Sequence, residues 1–97
     1  MYVILTTKPG KFRTELGEGL EAVETWDYLF WDRRRAEFTI ARLLGHPKVR
    51  IVEESASPTV NLVPSKFLPK FDTLDKARHE LLQLAGVGVR LVKRGAA

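Results

Sequence analysis

The chain has 97 residues, 44% of them hydrophobic and 29% charged, so we expect a single domain spanning residues 1–97 rather than a disordered chain. It contains no cysteine, which excludes disulfides, thiolate-bound clusters and cysteine nucleophiles and suits a cytoplasmic protein. The formal net charge of +4 only modestly favours binding to an acidic protein or to nucleic acid. No apolar run approaches the ~20 residues of a membrane span, so we expect no membrane partner.

The N-terminal quarter is predicted to be extended. Residues 2–7 are apolar and β-branched, and a Lys-Pro-Gly turn ends them. Residues 11–23 are ambiguous, because their apolar residues have helical spacing while Gly17 and Gly19 each cost roughly 1 kcal/mol in a helix. We predict two extended pieces separated by the glycine turn. A helix here would instead give a ferredoxin-like order.

Residues 24–43 are predicted to form a β-hairpin. Aromatic and β-branched residues recur there with a period of two, which is typical of strands. The segment from Asp32 to Arg35 lacks the Asn-Gly signature of a two-residue turn. We therefore predict a four-residue loop, in which Asp32 bonds to its own backbone.

The two faces of this hairpin differ in composition. The even positions form an apolar face, which we predict to be core: Trp26, Tyr28, Phe30, Ala36, Phe38 and Ile40. The odd positions mix Leu29, Trp31 and Leu43 with polar residues. Strands that are apolar on both sides are usually covered on both sides. Either another part of this chain or a partner is therefore expected to cover the second face.

The middle of the chain is predicted to contain one strand and one long loop. Residues 48–54 should extend the hairpin into a three-stranded meander, with Val49 and Ile51 on one face. Residues 55–70 hold three prolines, which exclude a helix or a central strand. The loop also carries spare hydrophobic residues that must pack on the sheet or on a partner: Val60, Leu62, Phe67 and Leu68.

The C-terminal quarter is predicted to hold the one clear helix and a last strand. Asp72 or Thr73 is a suitable N-cap, and Gly86 is suited to the left-handed position after the helix. The buried stripe is formed by Leu74, Ala77, Leu81 and Leu84. Residues 87–93 form a strand that we expect to pair in parallel with residues 2–7, and residues 95–97 form a tail.

Neither a catalytic residue, a metal site nor a cofactor is predicted. His46 and His79 have no ligand partner at metal spacing. No nucleophile motif or phosphate loop occurs either. We consider catalysis less well supported than binding.

Together these patterns predict an α+β fold, with a mainly antiparallel sheet of about five strands and one C-terminal helix on a face. The leading hypothesis is a non-catalytic accessory subunit that binds a larger enzyme or self-associates. Its contact residues are predicted to be Leu29, Trp31, Leu43, Val60, Leu62, Phe67 and Leu68.

Two alternatives remain. One is RNA or DNA binding through Arg33, Arg34 and Arg35, beside aromatic residues that could stack on bases. The other is a dimeric ferredoxin-like barrel enzyme with a pocket between helix and sheet. Trp26, Tyr28 and His79 are the candidates to line that pocket.

Overall fold

A computed structural model describes residues 1–95, and its strands form two antiparallel sheets with an α-helix on one face. The α+β class and the packed C-terminal helix are therefore confirmed. The end of the predicted tail, beyond Gly95, lies outside the described residues. The elements are β1 (Tyr2–Thr7), β2 (Phe12–Glu15), β3 (Leu20–Phe30), β4 (Arg33–Leu43), β5 (Lys48–Glu53), β6 (Val60–Pro64), a short 3₁₀ helix (Ser65–Phe67), α1 (Leu74–Leu82) and β7 (Val89–Lys93).

The strand count and the strand neighbours differ from the sequence prediction. Residues 1–95 form a four-stranded sheet in the order β1-β4-β3-β7 and a three-stranded sheet in the order β2-β5-β6, rather than one sheet of about five strands. The predicted meander is wrong, because β5 pairs with β2 and β6 instead of with the hairpin. The predicted parallel pairing is also wrong, since β7 pairs antiparallel with β3. Alternation of apolar residues identifies strands, but it does not identify their neighbours.

Strand β4 is the centre of the fold because both of its faces are buried. Ile40 packs with Ala77 and Leu81 of α1 on one face of the larger sheet. Its neighbour Ala41 packs with Val49 of β5 on the other face. The smaller sheet, a segment of this same chain, thus covers part of the second face.

The long hairpin contributes side chains to both faces of the larger sheet, and its strand pairing is irregular at two places. Ala22 lies opposite Ala41 whereas Glu24 lies opposite Ile40, so Val23 is an extra residue in β3. This bulge turns the start of β3 towards the smaller sheet and the rest towards α1. A second shift makes Arg35 the extra residue of β4, close to the turn.

Several local predictions are confirmed. Residues 12–15 and 20–30 are extended with a turn between them, so the helix required for a ferredoxin-like order is absent from that stretch. The Thr73 hydroxyl caps α1 by accepting from the Lys76 N–H at 3.1 Å. The positive φ after the helix is found at Gly88 instead of Gly86, which corrects that prediction. The long loop predicted for residues 55–70 is wrong in part, because that stretch contains β6 and the short 3₁₀ helix. β6 lies at the edge of the smaller sheet, where proline is tolerated.

The carboxylate of Glu24 joins the helix to the sheet. Arg78 of α1 donates to it through Nε at 2.8 Å and also through Nη2, while Lys93 of β7 approaches at 3.0 Å and Trp26 Nε1 donates at 3.2 Å. Only 3% of the Glu24 side chain is exposed. The hydrogen bond from Arg78 is the main cause that lowers the pKa of Glu24 from 4.5 to about 2, against the opposing effect of burial.

We expect Glu24→Gln to lower the free energy of unfolding at pH 7 by about 2 kcal/mol, because the charged donors lose their anion. The folded-state pKa lies below the unfolded value of 4.5. The stabilisation is therefore complete above pH 4.5 and is lost as the pH falls towards 2. Denaturant unfolding of wild type and variant across this range measures the difference, which should shrink with acid.

Glu21→Gln is the matched control, since Glu21 is exposed on the same strand. We expect it to change stability by less than about 0.5 kcal/mol. Equal losses in the two variants, or a loss at Glu24 that does not vary with pH, would contradict the structural role of this carboxylate.

Candidate functional site

The hairpin turn has an unusual sequence for its conformation. β3 ends at Phe30 and β4 begins at Arg33, so Trp31 and Asp32 form a two-residue loop, and the predicted four-residue loop is wrong. Both residues have positive φ, 50° and 64°, as a type I′ turn requires. Asn and Gly usually occupy these positions because a bulky residue is strained there. The structure therefore holds a tryptophan where the local backbone disfavours one.

Trp31 is held in place by the segment that precedes β7. Its backbone N–H donates to the Gly88 carbonyl at 2.8 Å. The indole lies so close to Gly88 that a Cβ there would be 2.7 Å from the ring atom Cε2. Gly88 has a φ of +77°, so glycine is required both by the backbone and by the contact. Arg90 adds an ion pair to Asp32 at 3.2 Å.

An exposed apolar surface results at this end of the molecule. We call Phe30, Trp31 and Val87 the hairpin-end patch. Their exposed fractions are 39%, 67% and 89%. The rings of Phe30 and Trp31 contact each other edge to face, with centroids 6.0 Å apart. Two arginines adjoin the patch. Arg33 lies opposite Phe30 in the pairing of β3 with β4, and Arg90 lies opposite Leu29 in the pairing of β3 with β7.

The structure does not bring the seven predicted partner-binding residues together. Leu43 and Leu68 are half-buried against the core between the two sheets, and Leu29 is half-buried in β3. Trp31 lies at the hairpin turn, about ten residues, or roughly 30 Å of strand, from Leu43. The remaining three are exposed on or just after edge strand β6: Val60, Leu62 and Phe67.

The three predicted nucleic-acid arginines lie in β4 rather than in a turn. Arg34 is 3.7 Å from Asp27 and 3.9 Å from Glu37, and both carboxylates also pair with Arg94. The hydrogen bond from Arg94 to Asp27 is the main cause that raises the pKa of Arg94 above its ordinary value. Arg33 and Arg35 have no ion pair among the described residues. The charge of Arg34 is thus largely matched by acids on its own sheet.

A concave feature lies beside the hairpin on the helix side of the sheet. This cleft has a volume of about 520 Å³. Its lining combines aromatic and cationic side chains: Lys8, Pro9, Lys11, Tyr28, Arg34, Arg35, Ala36, Phe38 and Leu84. Sequence reasoning missed the contribution of Lys8 and Lys11, because it depends on the β1–β4 pairing that places Thr7 opposite Glu37. A basic turn directly after β1 was the available signal.

The residues of the proposed barrel enzyme are not assembled into one pocket. Trp26 packs in the core under α1, Tyr28 lines the cleft, and His79 is exposed with its Nε2 3.1 Å from Gln83. Within residues 1–95 no cluster of three or more His, Cys, Asp or Glu side chains could hold a metal ion. In the same range, the structure contains no helix with the length and apolarity to cross a membrane.

Comparison of this chain with protein-family models, curated proteins and solved structures found no match.

We expect Gly88→Ala to displace the Trp31 indole and to lower the free energy of unfolding by about 1–3 kcal/mol. The added Cβ meets the ring, and alanine disfavours positive φ. The indole N–H resonance of Trp31 should shift in a proton–nitrogen NMR spectrum, while that of half-buried Trp26 should not.

Gly86→Ala is the control for this experiment. A Cβ at Gly86 meets nothing within 4 Å, and its φ is not in the left-handed region. We expect little change in either stability or the Trp31 resonance. An unchanged Trp31 resonance in Gly88→Ala would show that the indole does not rest on Gly88.

Proposed function

We propose that this protein is a non-catalytic binding subunit that inserts its hairpin-end patch into an acidic, apolar groove on a larger protein. The observation that carries the proposal is Trp31, an exposed tryptophan in a left-handed backbone conformation. Such a subunit would stabilise, assemble or regulate the protein that it binds. We place this activity in the cytoplasm, as a cysteine-free composition favours.

The strain at Trp31 supports a binding role. A non-glycine residue in the left-handed region costs roughly 1–2 kcal/mol, and Asn or Gly would relieve this cost. Strained residues that persist against an easy alternative cluster at functional sites. Tryptophan is also enriched among the residues that dominate the energy of protein interfaces. The contacts of the indole with Gly88 and Phe30 only offset this strain, so stability alone gives little reason to keep tryptophan at this turn.

The charges around the patch favour a different protein over a second copy of this chain. Arg33 is unpaired among the described residues, and Arg90 is matched only by Asp32. Two such surfaces facing each other would bring guanidinium groups together and would be repelled. An acidic rim on a partner would complement them, and an apolar groove would accept the indole and Phe30.

Nucleic-acid binding is the second candidate. It is favoured by the unpaired Arg33 and Arg35 near an exposed indole, a combination that suits stacked bases and phosphates. It is disfavoured by Asp27 and Glu37, which neutralise Arg34 and would repel a phosphate backbone. Its signature would be an affinity that falls steeply with salt.

The test is affinity capture on tagged protein from the native cells after nuclease treatment, with Trp31→Asn as the key variant. Asparagine suits the left-handed turn, so relief of backbone strain offsets the lost ring contacts. The stability should therefore change by less than about 1 kcal/mol. We expect a stoichiometric protein to be retained by wild type and to bind the variant at least about 30-fold more weakly.

Phe67→Ser is the matched control, because Phe67 is as exposed as Trp31 but follows edge strand β6. It should leave capture of the same protein unchanged. Retention by Trp31→Asn, or loss in Phe67→Ser alone, would overturn the assignment to the hairpin-end patch. Recovery of only nuclease-sensitive material would favour nucleic-acid binding instead.

A further inference from the structure

The cleft beside the hairpin combines two aromatic side chains with unpaired cations. Tyr28 and Phe38 occupy the same face of neighbouring strands, and their rings meet edge to face at 6.0 Å. Ala36 lies opposite Tyr28, and its small side chain leaves the space beside the aromatic pair unfilled. Leu84, just after α1, forms an apolar wall. This part of the cleft suits a flat ring.

The cationic side of the cleft comes from two separate parts of the chain. Lys8 and Lys11 belong to the turn between β1 and β2, and Arg35 is the bulged residue of β4. None of the three has an ion pair among the described residues, and no acidic side chain is in the lining described above. Unmatched cations that converge on one cavity favour an anionic ligand.

The lysine turn is ordered before any ligand arrives. The N–H groups of Lys11 and Phe12 both donate to the Lys8 carbonyl, at 2.9 and 3.0 Å. The Gly10 N–H donates to the Glu54 carboxylate at 3.1 Å, which ties the turn to the smaller sheet. Fixing the backbone in advance lowers the entropy that binding must overcome. The lysine side chains themselves remain exposed.

We propose that this cleft binds a phosphorylated small molecule that carries a planar ring, of the size of a mononucleotide. The ring would pack against the aromatic pair Tyr28 and Phe38, and the phosphate would contact Lys8, Lys11 and Arg35. The volume of about 520 Å³ falls within the usual range for small-molecule sites. The cleft shares no residue with the hairpin-end patch. The proposal that the cleft binds a small molecule is therefore independent of the proposal that the patch binds a protein.

The experiment is calorimetric titration of the full chain with AMP, adenosine, inorganic phosphate and a single-stranded octanucleotide. We expect AMP to bind with a Kd on the order of 100 μM. Adenosine and phosphate should each bind at least tenfold more weakly, because each supplies only half of the contacts. Equal affinity for AMP and phosphate would overturn the proposal, since the aromatic pair would then contribute nothing.

Two variants test the two halves of the site. The double variant Lys8→Glu with Lys11→Glu should weaken AMP binding at least tenfold. The control double variant, Lys48→Glu with Lys66→Glu, makes the same charge change at exposed lysines outside the cleft and should change it less than twofold. An equal loss of AMP affinity in both double variants would overturn the proposal, because it would show that AMP is attracted by the overall positive charge and not by the cleft.

Tyr28→Leu tests the aromatic pair while keeping an apolar side chain in the sheet. We expect it to reduce the affinity for AMP to that for phosphate, with little effect on phosphate itself. Far-ultraviolet circular dichroism verifies that the variant is folded. Octanucleotide binding that is much tighter than AMP binding and insensitive to Tyr28→Leu would overturn the proposal in favour of a surface for polyanions.

Discussion

The ionised carboxylate of Glu24 is the interaction on which the arrangement of helix and sheet depends. The helix is nine residues long and has only two fully buried apolar residues, Ala77 and Leu81. Apolar burial of that extent holds a helix weakly, since each such side chain contributes at most about 3 kcal/mol. Glu24 adds a charged link from β3 to Arg78 of the helix and to Lys93 of the last strand. One side chain thus links three elements, β3, α1 and β7.

The sequence predicts the local structure well and the long-range pairing poorly. Strands and the helix follow from the spacing of apolar residues and from caps such as Thr73. The neighbour of each strand depends on which surfaces meet after collapse, and no pattern within β5 or β7 contains that information. The turn was mispredicted because Trp31 and Asp32 are uncommon in a type I′ turn. The predicted core face was correct at Phe38 and Ile40, because alternation persists through the middle of β4. It was wrong at Phe30, which is exposed at the hairpin end.

The candidate sites likewise have features that could be predicted from the sequence and features that could not. Trp31 could be chosen from the sequence as a candidate because it is an aromatic residue on the less apolar face of the hairpin. Its backbone strain and its contact with Gly88 could not be predicted from the sequence. Leu43 and Leu68 could not be separated from exposed hydrophobic residues, because only the folded smaller sheet shows what covers them. The basic turn after β1 signalled only the lysines of the cleft, and the cleft as a whole could not be predicted because Lys8 and Arg35 are far apart along the chain. Both sites include residues of the hairpin formed by β3 and β4.

The extra residue at Val23 also affects how the chain finds its fold. A regular β-hairpin can slide by two residues and keep its apolar face inward, which permits misregistered pairing. Here the bulge divides β3 into a part that faces the smaller sheet and a part that faces the helix. Any slide therefore moves the Glu24 carboxylate away from Arg78 and also removes Leu20 from the inter-sheet core. Misregistered hairpins are penalised on both sides at once, so a single inserted residue protects the long hairpin against kinetic traps.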